Sequence, residues 1–113
     1  MEKQIGVLEQ EVPDSLRTPI FRISQEAMNN VAKHSKASYV DLCLQKTNNS
    51  IELTIRDDGQ GFDLEEAYSR KGTAKGLGLD SMRERSELSG GSFSIESRKE
   101  AGTVIRVTWP LKS

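Results

Sequence analysis

Apolar and polar positions change period several times along the 113 residues, and each change marks an element. From Thr18 and Pro19, a cap and first-turn pair, a helix is predicted to run to about His34. On it, Ile20, Ile23, Ala27 and Val31 fall on one stripe at 100° per residue. The period then drops to two. "SYVDLCLQ" places Val40, Leu42 and Leu44 on one face, and "SIELTIR" does the same with Ile51, Leu53 and Ile55. "KTNN" between them predicts an antiparallel hairpin. "DDGQGF" breaks the pattern, "DLEEAYSR" reads as a short helix, and "KGTAKG" as a loop. A second long helix is predicted from Leu77 to Leu88, with Leu79, Met82, Arg83 and Ser86 along one side and Gly90 and Gly91 as its stop. "SFSIESR" and "TVIRVTW" form a second hairpin around "KEAG", ended by Pro110. Before all of this, "IGVLEQEV" reads as a short strand followed by the turn-rich "PDS". Hairpins interrupted by long helices imply an α+β fold with the helices on one face of a sheet, the other face being open or covered by a neighbour.

Composition narrows this picture only modestly. Hydrophobic residues make up 35% and aromatic residues 5%, so aliphatic side chains must build most of one modest core. The net charge of -1 gives no general attraction to nucleic acid or anionic membrane. Cys43 stands alone, which excludes an internal disulfide and a cysteine zinc site. No apolar run approaches bilayer length and no signal peptide opens the chain. The expectation is a cytoplasmic domain, compatible with being cut from a longer, membrane-attached protein.

Three polar stretches sit beside the predicted core. On the first helix, Glu26, Asn30 and Lys33 lie within about 60° of arc on an edge flanking the apolar stripe, while Asn29 turns about 100° away from Asn30. Taken alone, that stretch is better accounted for by a solvated Glu/Lys face than by a binding edge. The second stretch is "DDGQGF", Asp57 to Phe62, at the end of a strand rich in β-branched residues. Its two glycines allow close backbone approach, and its carboxylate suits an amino group such as that of adenine, although Asp and Gly also make ordinary turns. The third, "KGLGL" (Lys75 to Leu79), opens the second helix with Gly76 and Gly78, where exposed N–H groups attract phosphate; a plain glycine hinge is the alternative. Neither GxxxxGK[ST] nor GxGxxG is met, since Ser81 stands at the last glycine of the latter. Together the three suit magnesium, adenine and phosphate.

In order and spacing these stretches resemble the boxes of the histidine-kinase ATP-binding domain. "RISQEAMNNVAKHSKA" resembles its N box, "DDGQGF" and "KGLGL" its two glycine boxes, and "GTVIRVTWP" its closing strand. The match covers roughly residues 15 to 111. "QEA..N..KH" with "GLGLDSMRER" is most similar to the nitrate-sensor and DesK-type sensor kinases. The resemblance implies the Bergerat (GHKL) fold: an α/β two-layer sandwich with a mixed, mainly antiparallel sheet of about five strands. About three helices would cover one face, with a mobile ATP lid at about 63–75, all within one domain spanning 1–113.

The resemblance also implies roles. Asn30 would ligate Mg²⁺, and Glu26 would act as general base or proton-orienting group, with Lys33 and His34 close to the phosphates. Asp57 would recognise the adenine amine, Gly59 and Gly61 would shape the pocket, and Thr103 would support Asp57. Gly76, Leu77, Gly78 and Leu79 would close on the phosphates. The implied reaction is transfer of the γ-phosphoryl of Mg-ATP to a histidine on a separate dimerisation domain, with a cognate response regulator downstream. That histidine is not in this chain, and His34 belongs to the N box instead. The lid is short and lacks an aromatic F box. An anti-sigma-type serine kinase of the same fold, or a nucleotide-sensing module without phosphotransfer, are the competing readings.

Overall fold

A computed structural model describes residues 2–6, 12–32, 36–61, 63 and 78–111. The two alternating runs form β2 (Val40–Thr47) and β3 (Ser50–Asp57), paired antiparallel from Val40↔Asp57 to Thr47↔Ser50. Asn48 and Asn49 close them, with Asn48 at φ 52, a left-handed conformation that tight hairpin turns require and asparagine tolerates. The second hairpin is β4 (Ser92–Ser97) with β5 (Thr103–Pro110), and β5 also pairs with β3. The opening strand differs from expectation. β1 occupies Glu2–Gly6, begins three residues before Ile5, and runs parallel to β2 with Ile5 opposite Leu44. Its position is set by the free edge of β2 and not by alternation of its own, because "EKQIG" has none. The sheet order is β1-β2-β3-β5-β4, the mixed, mainly antiparallel five-stranded arrangement expected.

The register sorts side chains into rows, since directly paired residues share a face. Three helix-facing rows are Leu42–Ile55–Ile105–Ile95, Leu44–Leu53–Val107–Phe93 and Ile51–Trp109. Ile51, Leu53, Ile55, Ile105, Val107 and Trp109 are buried there with Leu16, Ile23 and Ala27 of the first helix and Leu79 and Met82 of the second. The opposite face is polar: Asp41–Arg56–Val104–Glu96, Cys43–Thr54–Arg106–Ser94 and Gln45–Glu52–Thr108–Ser92, with Arg106 Nε 3.8 Å from Glu52 Oε1. Cys43 thus lies on the polar face, half-buried, and not in the core.

The first helix, α1, spans Asp14–Asn30 and so begins a turn before the Thr18–Pro19 start predicted. Leu16 explains the extension, because it prolongs the apolar stripe by one turn and is buried. Pro19 therefore sits inside the helix and deprives the Ser15 carbonyl of its usual donor. Ser15 is exposed, so water can replace that bond. Leu16 N–H donates to the Pro13 carbonyl at 2.9 Å, and Asp14 in the first turn complements the helix dipole. Val31 and Ala32 continue in a wider π-type turn immediately after Asn30.

The second helix, α2, spans Leu79–Leu88 and buries Leu79, Met82 and Ser86. Arg83 does not share their burial; its guanidinium lies 5.2 Å from the centroid of the Phe93 ring. The helix ends as expected at Gly90 (φ 88): Gly90 N–H donates to Glu87 O and Gly91 N–H to Ser86 O, the paired bonds of a Schellman motif. That end is tied to the sheet by Trp109, buried, whose Nε1–H donates to Ser89 Oγ at 2.8 Å. Ser89→Ala orphans this indole N–H and is expected to cost about 1–2 kcal/mol. Urea unfolding checks it, with Ser89→Ala expected to cost less in a Trp109→Phe background, where no indole N–H is left to orphan. The short helix expected in "DLEEAYSR" and the lid at 63–75 fall outside the described residues, apart from Asp63.

Candidate functional site

The fourth helix-facing row of the sheet departs from the other three. It reads Val40–Asp57–Thr103–Ser97, so the covered face turns polar at one end. Asp57 and Thr103 are directly opposed on β3 and β5 and are 8% and 9% exposed. Thr103 Oγ1 and Ser97 Oγ are 2.8 Å apart, and Ser97 Oγ also donates to the Gly102 carbonyl. Gly59 N–H donates to Asp57 Oδ1 at 2.8 Å, closing an Asx turn. Burial raises the Asp57 carboxyl above its ordinary value of 3.8; the Gly59 bond opposes this and the nearby charge of Asp58 adds to it.

The chain after β3 is fitted tightly against the β4–β5 turn. Gly61 has φ +60, and a Cβ there would lie 2.0 Å from the Arg98 carbonyl oxygen. Gly102, at φ +80, would place a Cβ 2.2 Å from the Asp57 carbonyl oxygen. Glu100 N–H donates to the Gln60 carbonyl across the same contact. Both glycines are therefore places where backbone meets backbone. On the other side, Asp58 Oδ1 accepts the N–H groups of Ser38 and Tyr39, each at 2.9 Å.

Glu26 and Asn30 are half-buried on the edge of α1 that flanks its apolar stripe, one helical turn apart. Glu26 lies directly against Gly78, the residue that opens α2. A Cβ on Gly78 (φ +68) would fall 1.9 Å from Glu26 Oε1, so only glycine admits this contact. The α1 edge and the start of α2, two of the three polar stretches, thus meet in space. The negative end of Glu26 rests where the N-terminus of α2 favours anions. Leu79, expected near phosphate, turns its side chain into the core at 1% exposure and leaves only its backbone for a ligand. Lys33, His34, Gly76 and Leu77 lie outside the described residues.

Three residues of this neighbourhood escaped sequence reasoning. Asp58 was overshadowed by Asp57 in "DDGQG", although a second adjacent acid with spare acceptor capacity was a signal. Gly102 sat in an ordinary turn "KEAG". Ser97 carries no signal of its own, and only its register with Thr103 reveals it. Chemically, the arrangement offers a buried carboxylate and hydroxyl at the sheet end, and a carboxylate beside a helix N-terminus.

Comparisons with known proteins identify the family. Residues 15–113 match the family model described as histidine kinase-, DNA gyrase B- and HSP90-like ATPase. The signal transduction histidine-protein kinase/phosphatase DegS of Bacillus subtilis is 36% identical over 103 residues, 91% of this chain and 26% of that protein. The sensor histidine kinase LiaS of the same organism is 39% identical over 92 residues, 81% of this chain and 24% of that protein. The sensor protein VraS of Staphylococcus epidermidis is 37% identical over 101 residues, 89% of this chain and 28% of that protein. The chain spans about a quarter of the length of these relatives. Among solved structures, the blue-light activated histidine kinase of Erythrobacter litoralis EL346 aligns over 97% of this chain and 35% of its own, with TM-score 0.75 and 19% identity. The mycobacterial sensor histidine kinase MprB aligns over 96% of this chain and 80% of its own, with TM-score 0.67 and 23% identity. The chain belongs to the histidine kinase-, DNA gyrase B- and HSP90-like ATPase family.

Proposed function

We propose that residues 1–113 are the ATP-binding catalytic domain of a two-component sensor histidine kinase, transferring the γ-phosphoryl group of Mg-ATP to a histidine on a separate domain. The relatives' names favour this reading over a serine kinase of the same fold. The observation that supports it most is the meeting of Glu26 with Gly78 at the start of α2, beside a sheet end made polar by Asp57 and Thr103. The adenine amine would donate to Asp57 through Oδ2, since Gly59 holds Oδ1. Gly59 and Gly61 would shape that pocket and Thr103 would support Asp57. Phosphates would lie towards Gly76, Leu77, Gly78 and the backbone of Leu79, with Lys33 and His34 close by.

For the metal, Asn30 offers a neutral hard oxygen, which fits an ion that keeps several waters and shares the nucleotide's phosphates. Asn30 would be the protein's ligand to such an ion. Bound Mg²⁺ supplies charge neutralisation at the phosphates. In the transfer, the acceptor imidazole nitrogen forms a bond to the γ-phosphorus as the bond to the β–γ bridging oxygen breaks and ADP leaves. Glu26 takes the imidazole proton, and positioning by the chain supplies much of the rate. No helix among the described residues is long and apolar enough to cross a membrane. A cytoplasmic domain handing phosphoryl groups towards a response regulator is the reading we adopt, with no nucleic-acid or membrane contact of its own.

Asp57→Asn tests the nucleotide half of this reading in two directions. It is expected to weaken ATP binding by about tenfold to a hundredfold, because a charge-assisted hydrogen bond is lost. An unchanged dissociation constant by calorimetry would refute adenine recognition. The same substitution is expected to stabilise the nucleotide-free fold by about 1 kcal/mol at neutral pH, since Asn keeps the Gly59 acceptor without the buried charge. The sign follows from the raised folded-state value: ionised Asp57 costs stability at neutral pH, and that cost fades as pH falls through the folded value. The gain should therefore shrink on acidification and vanish below 3.8, the unfolded value. Thermal melts across pH measure it.

A further inference from the structure

We propose that Asp58 is a positioning residue, a pin that fastens the segment leaving the N box to the first glycine box and so holds Asp57 in line with the nucleobase. The proposal rests on the reading that Asp57 recognises the adenine amine. Asp58 is exposed and has no place in the chemistry described above, yet its Oδ1 accepts two consecutive backbone N–H groups, Ser38 and Tyr39, at 2.9 Å each. Its own N–H donates to the Tyr39 carbonyl at 3.3 Å. Two successive amides converging on one carboxylate oxygen form an anion-holding arrangement with charge-assisted bonds.

The location gives these bonds their effect. Val40↔Asp57 is the last rung of the β2–β3 ladder, where pairing would fray. Asp58 continues the attachment one residue further, into the segment 36–39 that leads from α1 to β2. That segment bends through Lys36 at φ 54, a left-handed conformation that a non-glycine residue keeps only when its surroundings hold it. On the opposite side Asp57 is fixed by its pairing with Thr103 and by the close fit of Gly102. Removing the pin leaves the terminal Val40 rung as the last attachment of Asp57 on the β2 side, where pairing would fray, against the firmer β5 side. Asn at position 58 keeps an oxygen at the same reach and can accept both N–H groups. Ala removes the acceptor, and Glu carries the charge but sets it one methylene too far.

The experiment measures dissociation constants for ATP and for inosine triphosphate, which carries a carbonyl where ATP has its amine. Wild type, Asp58→Asn, Asp58→Ala and Asp58→Glu are compared by calorimetry. The ratio of the two constants is the readout, because a variant that is merely less folded loses both affinities equally. Wild type is expected to prefer ATP by about tenfold or more, as a site built to bond an amine rejects the analogue lacking it. Asp58→Asn should keep that ratio, while Asp58→Ala and Asp58→Glu should bring it close to one. If the Ala and Glu variants keep the preference, the pin is refuted and the role of Asp57 stands. If Asn loses it as fully as Ala, charge rather than the pinned geometry is responsible, and the proposal fails. If wild type shows no preference, the adenine reading itself falls and the pin falls with it.

Discussion

On the proposed reading, Glu26→Gln in a longer protein that carries the acceptor histidine is expected to lower phosphotransfer by about 10²- to 10⁴-fold. The glutamine amide has the shape of the carboxylate it replaces, so its contact with Gly78 at the start of α2 persists. It cannot take up a proton. ATP affinity should therefore stay within about threefold of wild type, the pattern of a group used only in the transition state. Radiolabel transfer from ATP, with affinity measured separately by calorimetry, separates the two. Undiminished transfer would remove Glu26 from the chemistry. A parallel loss of affinity would recast it as a binding residue.

The second large effect concerns stability. Gly61→Ala should destabilise the fold by about 3 kcal/mol, combining left-handed strain with overpacking. The added Cβ would meet the Arg98 carbonyl oxygen at 2.0 Å and that of Gly102 at 2.9 Å. Both are backbone atoms, so neither can swing aside as a long side chain would. A fall in Tm of more than about 10 °C is the expected reading for a domain of this size. Gly90→Ala is the internal control: Gly90 is also left-handed, at φ +88, but nothing lies within 4 Å of its added Cβ. It should show the conformational cost alone, about 1–2 kcal/mol. A Gly61→Ala melt no lower than that of Gly90→Ala would show that the turn and the hairpin can separate freely.

What could be read in the chain beforehand depended on whether a residue's role is local. Val40, Leu42, Ile51, Leu53 and Ile55 announced their strands because alternation is a property of the strand itself. Gly90 announced a helix end for the same reason. The start of α1 differs from the one Pro19 signals because that signal is local, and the burial of Leu16 against the rest of the core outweighs it. β1 begins at Glu2, earlier than its own pattern suggests, because its residues answer to the edge of β2. At the site, Asp57 stood out by type and position, as did Glu26 and Asn30 by their shared edge. Asp58, Ser97 and Gly102 did not, since each matters only through backbone from a distant part of the chain. Long-range hydrogen bonds and close approaches leave no periodic trace.

The adjacency of β3 and β5 carries a consequence for how this fold can vary. The two strands are neighbours in the sheet, and everything from 58 to 102 is an excursion that begins and ends at one rung, Asp57↔Thr103. The cost of closing such an excursion grows only with the logarithm of its length, about 0.6 kcal/mol for each doubling. Added residues between Asp63 and Gly78 would thus tax the sheet very little, provided the two ends still return to the same rung. The stretch between Asp63 and Gly78 can therefore lengthen, shorten or change composition while the Asp57↔Thr103 end of the sheet keeps its pairing. Variation in length and maintenance of the sheet are thereby placed on separable stretches of one short chain.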